Sequence, residues 1–278
     1  MSASTKRDER IRRALLAWYA TEARDLPWRR TSDPYAVLVS EVMLQQTRVD
    51  TVLRYYGPFL KRFPSVRRLA SASIDDVLKA WEGLGYYRRA HSLHQAAMAV
   101  AGRGGFPKSV TELQRLPGVG PYTAAAVASI VFGAAVPALD GNVMRVMSRL
   151  HRISGDSARA STRATIRAAV GDLVAAGGAG AVNQALMDLG ARVCTSRTPR
   201  CAECPVAAEC DAHHTQTTAD FPRRSTRGRV PHRDVVAGVI WERWRGPGER
   251  ARVLLAQRRA DDMLGGLWEF PGGTVEVG

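Results

Sequence analysis

The residues of this 278-residue chain best placed to do chemistry are two carboxylates and a group of thiols. Glu41 lies in the middle of residues 34–46, PYAVLVSEVMLQQ, a stretch apolar almost all round. That pattern predicts a buried helix. A buried carboxyl without a partner has its pKa raised and holds a proton near neutral pH, as a general acid must. The competing reading is a structural Glu paired with an arginine, for which Arg24, Arg29 and Arg48 are candidates. Asp140 opens the segment Asp-Gly-Asn-Val-Met-Arg, just ahead of an amphipathic stretch. It fits a helix N-cap, where a carboxylate stays ionised. An ionised carboxylate beside a sugar also stabilises a developing oxocarbenium ion. One neutral and one ionised carboxyl, in separate environments, meet the needs of acid-assisted cleavage of a glycosidic bond.

The four cysteines are spaced Cys194-x6-Cys201-x2-Cys204-x5-Cys210, with none elsewhere. Scattered disulfides do not cluster in this way. Four thiolates so close can ligate one centre, either zinc or a 4Fe–4S cluster. Only one CxxC is present, and the unequal spacing suits the larger object. Arg192, Arg197 and Arg200 are interleaved with these ligands, so the loop reads as a cationic grip for a nucleic-acid backbone. A further motif is Leu116-Pro-Gly-Val-Gly-Pro-Tyr-Thr, between two helical patterns. Gly118, Val119 and Gly120 form a turn feeding a helix that opens at Pro121 or Tyr122. A Gly-rich turn at a helix start presents N–H groups to a phosphate. Its plainer alternative is an ordinary helix–helix turn.

The bulk charge agrees with a polyanionic partner. Lys and Arg number 40 against 26 Asp and Glu, for a net +14 and a pI near 10.5. Nucleic acid, an anionic membrane surface or a merely solubilising exterior all fit that balance. No apolar run approaches the ~20 residues of a membrane span. The N-terminus reads as an amphipathic helix and not as a signal peptide. A cytoplasmic, nucleoid-associated monomer without a membrane partner is expected.

The elements that must position these groups are helical up to about residue 212. Asp33-Pro34 reads as an N-cap followed by Pro at the first helical position. Thr47-x-x-Asp50, Ser73-x-x-Asp76 and Ser109-x-x-Glu112 resemble capping boxes. Gly83, Gly102, Gly133 and Gly190 each close an apolar-periodic stretch, as C-cap glycines do. Trp18, Trp28 and Trp81 at helical spacing read as core. Residues 213–231 are polar and read as a linker. Beyond them, residues 235–241 and 252–257 are β-rich around Arg245-Gly-Pro-Gly and predict a hairpin, marginal by itself and with an aggregation-prone edge.

Several motifs, in order, carry a family resemblance. SEVMLQQT (40–47), GLGYYRRA (83–90), LPGVGPYTAAA (116–126), LDGNV (139–143), NQALMDLGARVC (183–194) and the cysteine loop together resemble the adenine-specific mismatch glycosylases of DNA repair. The resemblance implies a mostly α, two-lobed helix-hairpin-helix fold over residues 1–212, with an iron–sulfur loop at 194–210. A partial α+β, Nudix-like segment over 232–278 completes the layout. It implies that adenine opposite 8-oxoguanine or guanine is flipped out of double-stranded DNA. Glu41 matches the family's acid and Asp140 its transition-state carboxylate, while Tyr122 and Asn142 match the residues that orient them. Gln46 and Tyr86 match groups that push into the duplex. Leu44, Arg24 and Arg29 are further DNA-contact candidates, and the cofactor implied is a 4Fe–4S cluster. The endonuclease III relatives carry a Lys nucleophile where this chain has Tyr122, so a monofunctional glycosylase is expected. The C-terminal segment resembles the start of a domain that reads 8-oxoguanine; stopping short of its full length, it leads us to expect weakened preference for 8-oxoguanine over guanine and no pyrophosphohydrolase activity. The rivals weighed are a thymine-mismatch glycosylase, a non-catalytic DNA-binding module and a zinc-stapled helical protein.

Overall fold

The structure, a computed structural model, describes residues 3–223, 225, 232–242, 252–259 and 265–275. Helix α1 (Ala3–Glu22) is followed by α2 (Pro34–Leu44), α3 (Val49–Arg62), α4 (Val66–Ala70), α5 (Ile74–Trp81) and α6 (Arg88–Gly102). Next come α7 (Val110–Leu113), α8 (Pro121–Phe132), α9 (Gly141–Leu150), α10 (Ala160–Ala175), α11 (Ala179–Arg192) and the short α12 (Asp211–His214).

The helices divide between two hydrophobic cores. Leu38, Met43, Phe59, Trp81 and Leu93 anchor the first, which draws on α2, α3, α5, α6 and α8. Ile11, Leu15, Met147, Leu150 and Leu189 anchor the second, which draws on α1, α9, α10 and α11. The N-terminal helix therefore joins the C-terminal lobe. Burying each such side chain is worth ~1.5–3 kcal/mol, so both lobes have independent cohesion. Trp28 and Trp81 are buried in the first core, as their spacing suggests. Among the described residues no helix is long and apolar enough to cross a membrane.

Local signals explain many of the helix ends. The Asp33 carboxylate accepts from the Tyr35 N–H at 3.0 Å, ahead of Pro34. Ser73 and Ser109 cap α5 and α7 through the N–H groups of Asp76 and Glu112. Gly83 and Gly133 adopt left-handed backbone just past α5 and α8. Two expected signals differ. Arg48, not Thr47, is the N-cap of α3, because the Thr47 hydroxyl is taken up by Arg89. Gly102 is still helical and Gly190 lies inside α11. The latter serves packing: a Cβ there would meet Asn142 Cβ at 2.6 Å.

The C-terminal part differs from a simple hairpin. Strand β1 (Val235–Ala237) pairs antiparallel with β4 (Gly272–Thr274), and β2 (Ala256–Gln257) pairs antiparallel with β3 (Trp268–Glu269). The expected partnership of 235–241 with 252–257 is kept among the described residues by the antiparallel bridge between Trp241 and Val253 and by the Leu254 N–H, which donates to the Ile240 carbonyl at 3.0 Å. Strand β4 has no signature in the sequence, for its Gly-Gly-Thr supplies a backbone ladder without apolar side chains. The turn at Arg245 lies outside the described residues. The stretch read as linker starts as packed structure: Phe221 is buried and a 3-10 turn spans Thr218–Asp220.

Candidate active site

The two lobes meet at a cleft of about 600 Å³ that gathers Glu41, Tyr122, Asp140, Asn142, Gln46 and Leu44. Glu41 comes from the middle of α2, the helix that is apolar all round and packs against α3, α6 and α8. Its carboxyl makes no ion pair with Arg24, Arg29 or Arg48, and Oε2 has no hydrogen-bond partner among the described residues. Burial pushes its pKa up to about 7; the Tyr122 hydroxyl draws it back, and the charge of Asp140 adds to the rise. This is the state a proton donor requires near neutral pH.

Asp140 caps α9 from the other lobe. Its Oδ1 accepts from the Val143 N–H at 2.7 Å and its Oδ2 from the Asn142 amide at 2.9 Å. Burial raises its pKa from the usual carboxylate range, and these two bonds and Arg145 oppose that rise. The hydrogen-bonded series continues away from the cleft. Arg145 donates from Nη2 to Asn142 Oδ1 at 2.8 Å and to the Gly190 carbonyl at 2.8 Å, and from Nε to the Cys194 carbonyl at 2.8 Å. Asp140 is thus linked in series to the first cysteine of the loop. Tyr122, at the second position of α8, is partly buried, and its hydroxyl lies 3.6 Å from Met187 Sδ.

Arg24 and Arg29 line the cleft and are held in place by a carboxylate. Both grip Asp188, which is fully buried, with Arg24 Nη2 at 2.6 Å from Oδ1 and Arg29 Nη1 at 2.6 Å from Oδ2. Burial pushes the Asp188 carboxyl up, but the bonds and charges of Arg29 and Arg24 outweigh it and hold the pKa low. Two cations on one carboxylate leave a net positive charge beside the cleft. The shared Asp188 carboxylate fixes both guanidiniums at the cleft wall, where they act as an electrostatic brace.

The other predicted contacts sort themselves by exposure. Gln46 and Tyr86 both carry left-handed backbone, with φ of 56° and 50°. Non-glycine residues adopt it rarely and at some cost. Both are exposed. They are held there by a residue that sequence reasoning does not single out: Arg89, whose guanidinium is buried between their two loops. It donates to the carbonyls of Val42, Met43, Gln45, Leu84 and Gly85 and to the Thr47 hydroxyl, and lies over the Tyr86 ring. In the hairpin, Gly118 has φ +71° and lies against Ser92, where a Cβ would meet Ser92 Cβ at 2.4 Å. The Val119 side chain is buried and its N–H donates to the Leu116 carbonyl at 3.1 Å. Gly120 ends the turn as N-cap of α8, which has Pro121 at its first position and no side-chain cap.

The four cysteines do converge. Cys194, Cys201, Cys204 and Cys210 line a single cavity under α9 and α11, with Val146, Leu189 and Val206 as apolar walls. Burial pushes the Cys204 thiol up to about 12. Among the described residues no group of His, Cys, Asp or Glu side chains is arranged to hold a single metal ion. Of the interleaved arginines, Arg192 is engaged by Glu22 and Arg200 by Glu203.

Comparison with known proteins gives the lineage. Residues 39–170 match the model of the HhH-GPD superfamily base excision DNA repair protein. An adenine DNA glycosylase of Arabidopsis thaliana is 38% identical over 305 residues, covering 96% of this chain and 48% of the relative. One from Mycolicibacterium smegmatis is 42% identical, covering 78% of this chain and 72% of the relative. The chain spans about half the length of the plant relative. Among solved structures, a thermostable thymine-DNA glycosylase superposes with a TM-score of 0.69 at 28% identity, covering 77% of this chain and 100% of that one. A cleft between two helical lobes, sequence motifs in the expected order and identity of this extent agree: the chain belongs to the adenine DNA glycosylase family.

Proposed function

We propose that the chain hydrolyses the bond between adenine and deoxyribose in double-stranded DNA where adenine is mispaired with 8-oxoguanine or guanine. The observation that carries this reading is Glu41, a buried carboxyl with a pKa of about 7 facing the cleft that also receives Asp140 and Tyr122. An adenine turned out of the stack enters this cleft. Glu41 gives its proton to a ring nitrogen of the base. The base–sugar bond breaks and its electron pair leaves on adenine. Asp140 faces the cationic sugar until water adds to the sugar carbon and loses a proton. Tyr122 has no amine to form a Schiff base, so the product is an abasic site in an unbroken strand.

The same reading gives Cys194, Cys201, Cys204 and Cys210 a 4Fe–4S cluster. The single cavity that the four thiols share supports it, as does the buried Arg149 guanidinium against Cys194. The bound cluster supplies a stiff loop for the DNA backbone and takes no part in the hydrolysis. A cytoplasmic, nucleoid-associated monomer is part of the same reading.

The test is base release from duplexes with adenine opposite 8-oxoguanine, guanine or thymine, and with thymine opposite guanine. Adenine release from the first two, strand breaks only after alkali and a silent Glu41→Gln variant are expected. Release of thymine, or a fully active Glu41→Gln, refutes the proposal.

A further inference from the structure

Arg149, in the last turn of α9, is 2% exposed. A guanidinium remains charged in proteins, and burying it without an anion is costly. All three of its guanidinium nitrogens donate, yet to no carboxylate among the described residues. Nε donates to the carbonyls of Thr218 at 2.9 Å and Phe221 at 3.0 Å. Nη1 donates to the Thr195 carbonyl at 2.6 Å and to Cys194 Sγ at 3.4 Å, and Nη2 to the Ser196 carbonyl at 3.1 Å. The backbone of Arg149 adds another link, for its carbonyl accepts from Cys210 Sγ at 3.6 Å. Its side chain also lines the cavity the four cysteines share. Neutral carbonyls satisfy the hydrogen-bonding of this cation but not its charge.

Four cysteine thiolates around a metal centre carry net negative charge, whether that centre is zinc or a 4Fe–4S cluster. We propose that Arg149 is the counter-ion and sulfur hydrogen-bond donor of the cysteine-held centre, and that it ties residues 218–221 to the ligand loop through the same side chain. This rests on the reading that the four cysteines hold a cluster. The guanidinium acts on the centre in two ways. Its N–H lowers electron density on the Cys194 sulfur. Its charge favours the more reduced, more negative state, as partners just outside the ligand set do in other metal sites. It is a positioning and tuning residue, and it lies on the far side of α9 from the cleft chemistry.

The test uses the full chain as purified with its bound metal. Wild type, Arg149→Met and Arg149→Lys are compared for iron and sulfide content, iron release to a ferrous chelator, and midpoint potential on a DNA-modified electrode. Arg149→Met is expected to release iron at least about tenfold faster, in the range by which such outer partners change metal affinity, and to have a lower potential. Arg149→Lys keeps the charge but loses the fork; we expect a near wild-type potential and faster iron release, which keeps the idea testable should the Met variant fail to fold. Wild-type release and potential in both variants overturn the proposal. Wild type with zinc or no metal, in place of iron, refutes the cluster reading itself and is recognised before any variant is made.

Discussion

Gly190 on α11 lies so close to Asn142 on α9 that a methyl group has no room between them: an added Cβ would sit 2.6 Å from Asn142 Cβ and 3.0 Å from its Cα. Asn142 in turn donates to Asp140 at 2.9 Å. The glycine therefore sets the distance between the helix carrying the carboxylate and the helix behind it. Gly190→Ala should push α9 toward the cleft. Because displacements near 1 Å can cost ~100-fold, single-turnover excision should fall by about that factor. Overpacking a core costs ~1–3 kcal/mol. A fall in rate without any fall in DNA affinity is the expected signature; an unchanged rate rejects this role.

Glu41 makes a prediction about pH. Its folded pKa of about 7 lies above the ordinary carboxyl value, because burial favours the neutral form. The folded protein thus keeps a proton that the unfolded chain releases between the two values. Stability must fall as pH rises through this window, by on the order of 3 kcal/mol at full ionisation. Glu41→Gln should remove this dependence, and chemical denaturation at pH 5 and pH 8.5 would show it. The excision rate of the parent should likewise decline as pH rises through about 7. A rate that climbs across that range contradicts the assignment of Glu41 as acid.

Arg89 joins the loop after α2, which carries Gln46, to the loop before α6, which carries Tyr86. Arg89→Met leaves buried carbonyls without donors, at a cost on the order of 3 kcal/mol. Arg89→Lys retains charge but cannot satisfy carbonyls of two separate loops, so the exchange is not conservative. Both should slow base extrusion, followed by the fluorescence of 2-aminopurine in place of the target adenine. Proton-donor function should survive, so excision from a duplex with a destabilised mispair should be less affected. Equal loss on every duplex would mean that Arg89 supports only the fold.

A second cleft, of about 790 Å³, shares Tyr122 and Asp140 with the first and extends to Arg163 and Arg167 on α10. Both arginines are exposed, and neither forms an ion pair among the described residues. Removing a cation that neutralises one phosphate should reduce the slope of log affinity against log salt by ~0.9. Arg163→Gln with Arg167→Gln should therefore flatten the slope by roughly twice that amount, without altering the single-turnover rate at saturation. An unaltered slope places the DNA elsewhere.

Much of this site can be read from the chain because its chemistry is local. Asp140 is legible as an N-cap, Glu41 as the one charge in an apolar helix, and the cysteines by spacing. What escapes is tertiary. Asp188, Arg89, Arg145 and Arg149 are charged residues whose partners lie far away in the chain; Asp188, for example, pairs with Arg24 and Arg29, more than a hundred residues earlier. A charged residue inside an apolar periodic stretch is the available signal, and it singles out Glu41 more sharply than the others. The pairing of Arg24 and Arg29 with Asp188 is hidden for the same reason, since basic residues look free in a sequence until their carboxylate is found. The packing of Val119 is likewise hidden, because a Gly-rich turn suggests open backbone whereas here the middle side chain is buried. The C-terminal pairing is illegible because β4 has almost no side-chain pattern to detect.

The two carboxyls to which the proposed chemistry is assigned belong to different lobes: Glu41 sits in a helix of the first core, and Asp140 heads a helix of the second. On that assignment, neither lobe carries the whole chemistry by itself. The seam between lobes is therefore also a point of control. A compound or a mutation that parts the lobes slightly would switch the chemistry off without occupying the pocket or unfolding anything, and a scaffold that clamps them would do the opposite. Inhibition of this kind would be insensitive to the concentration of competing base and would leave the DNA grip intact.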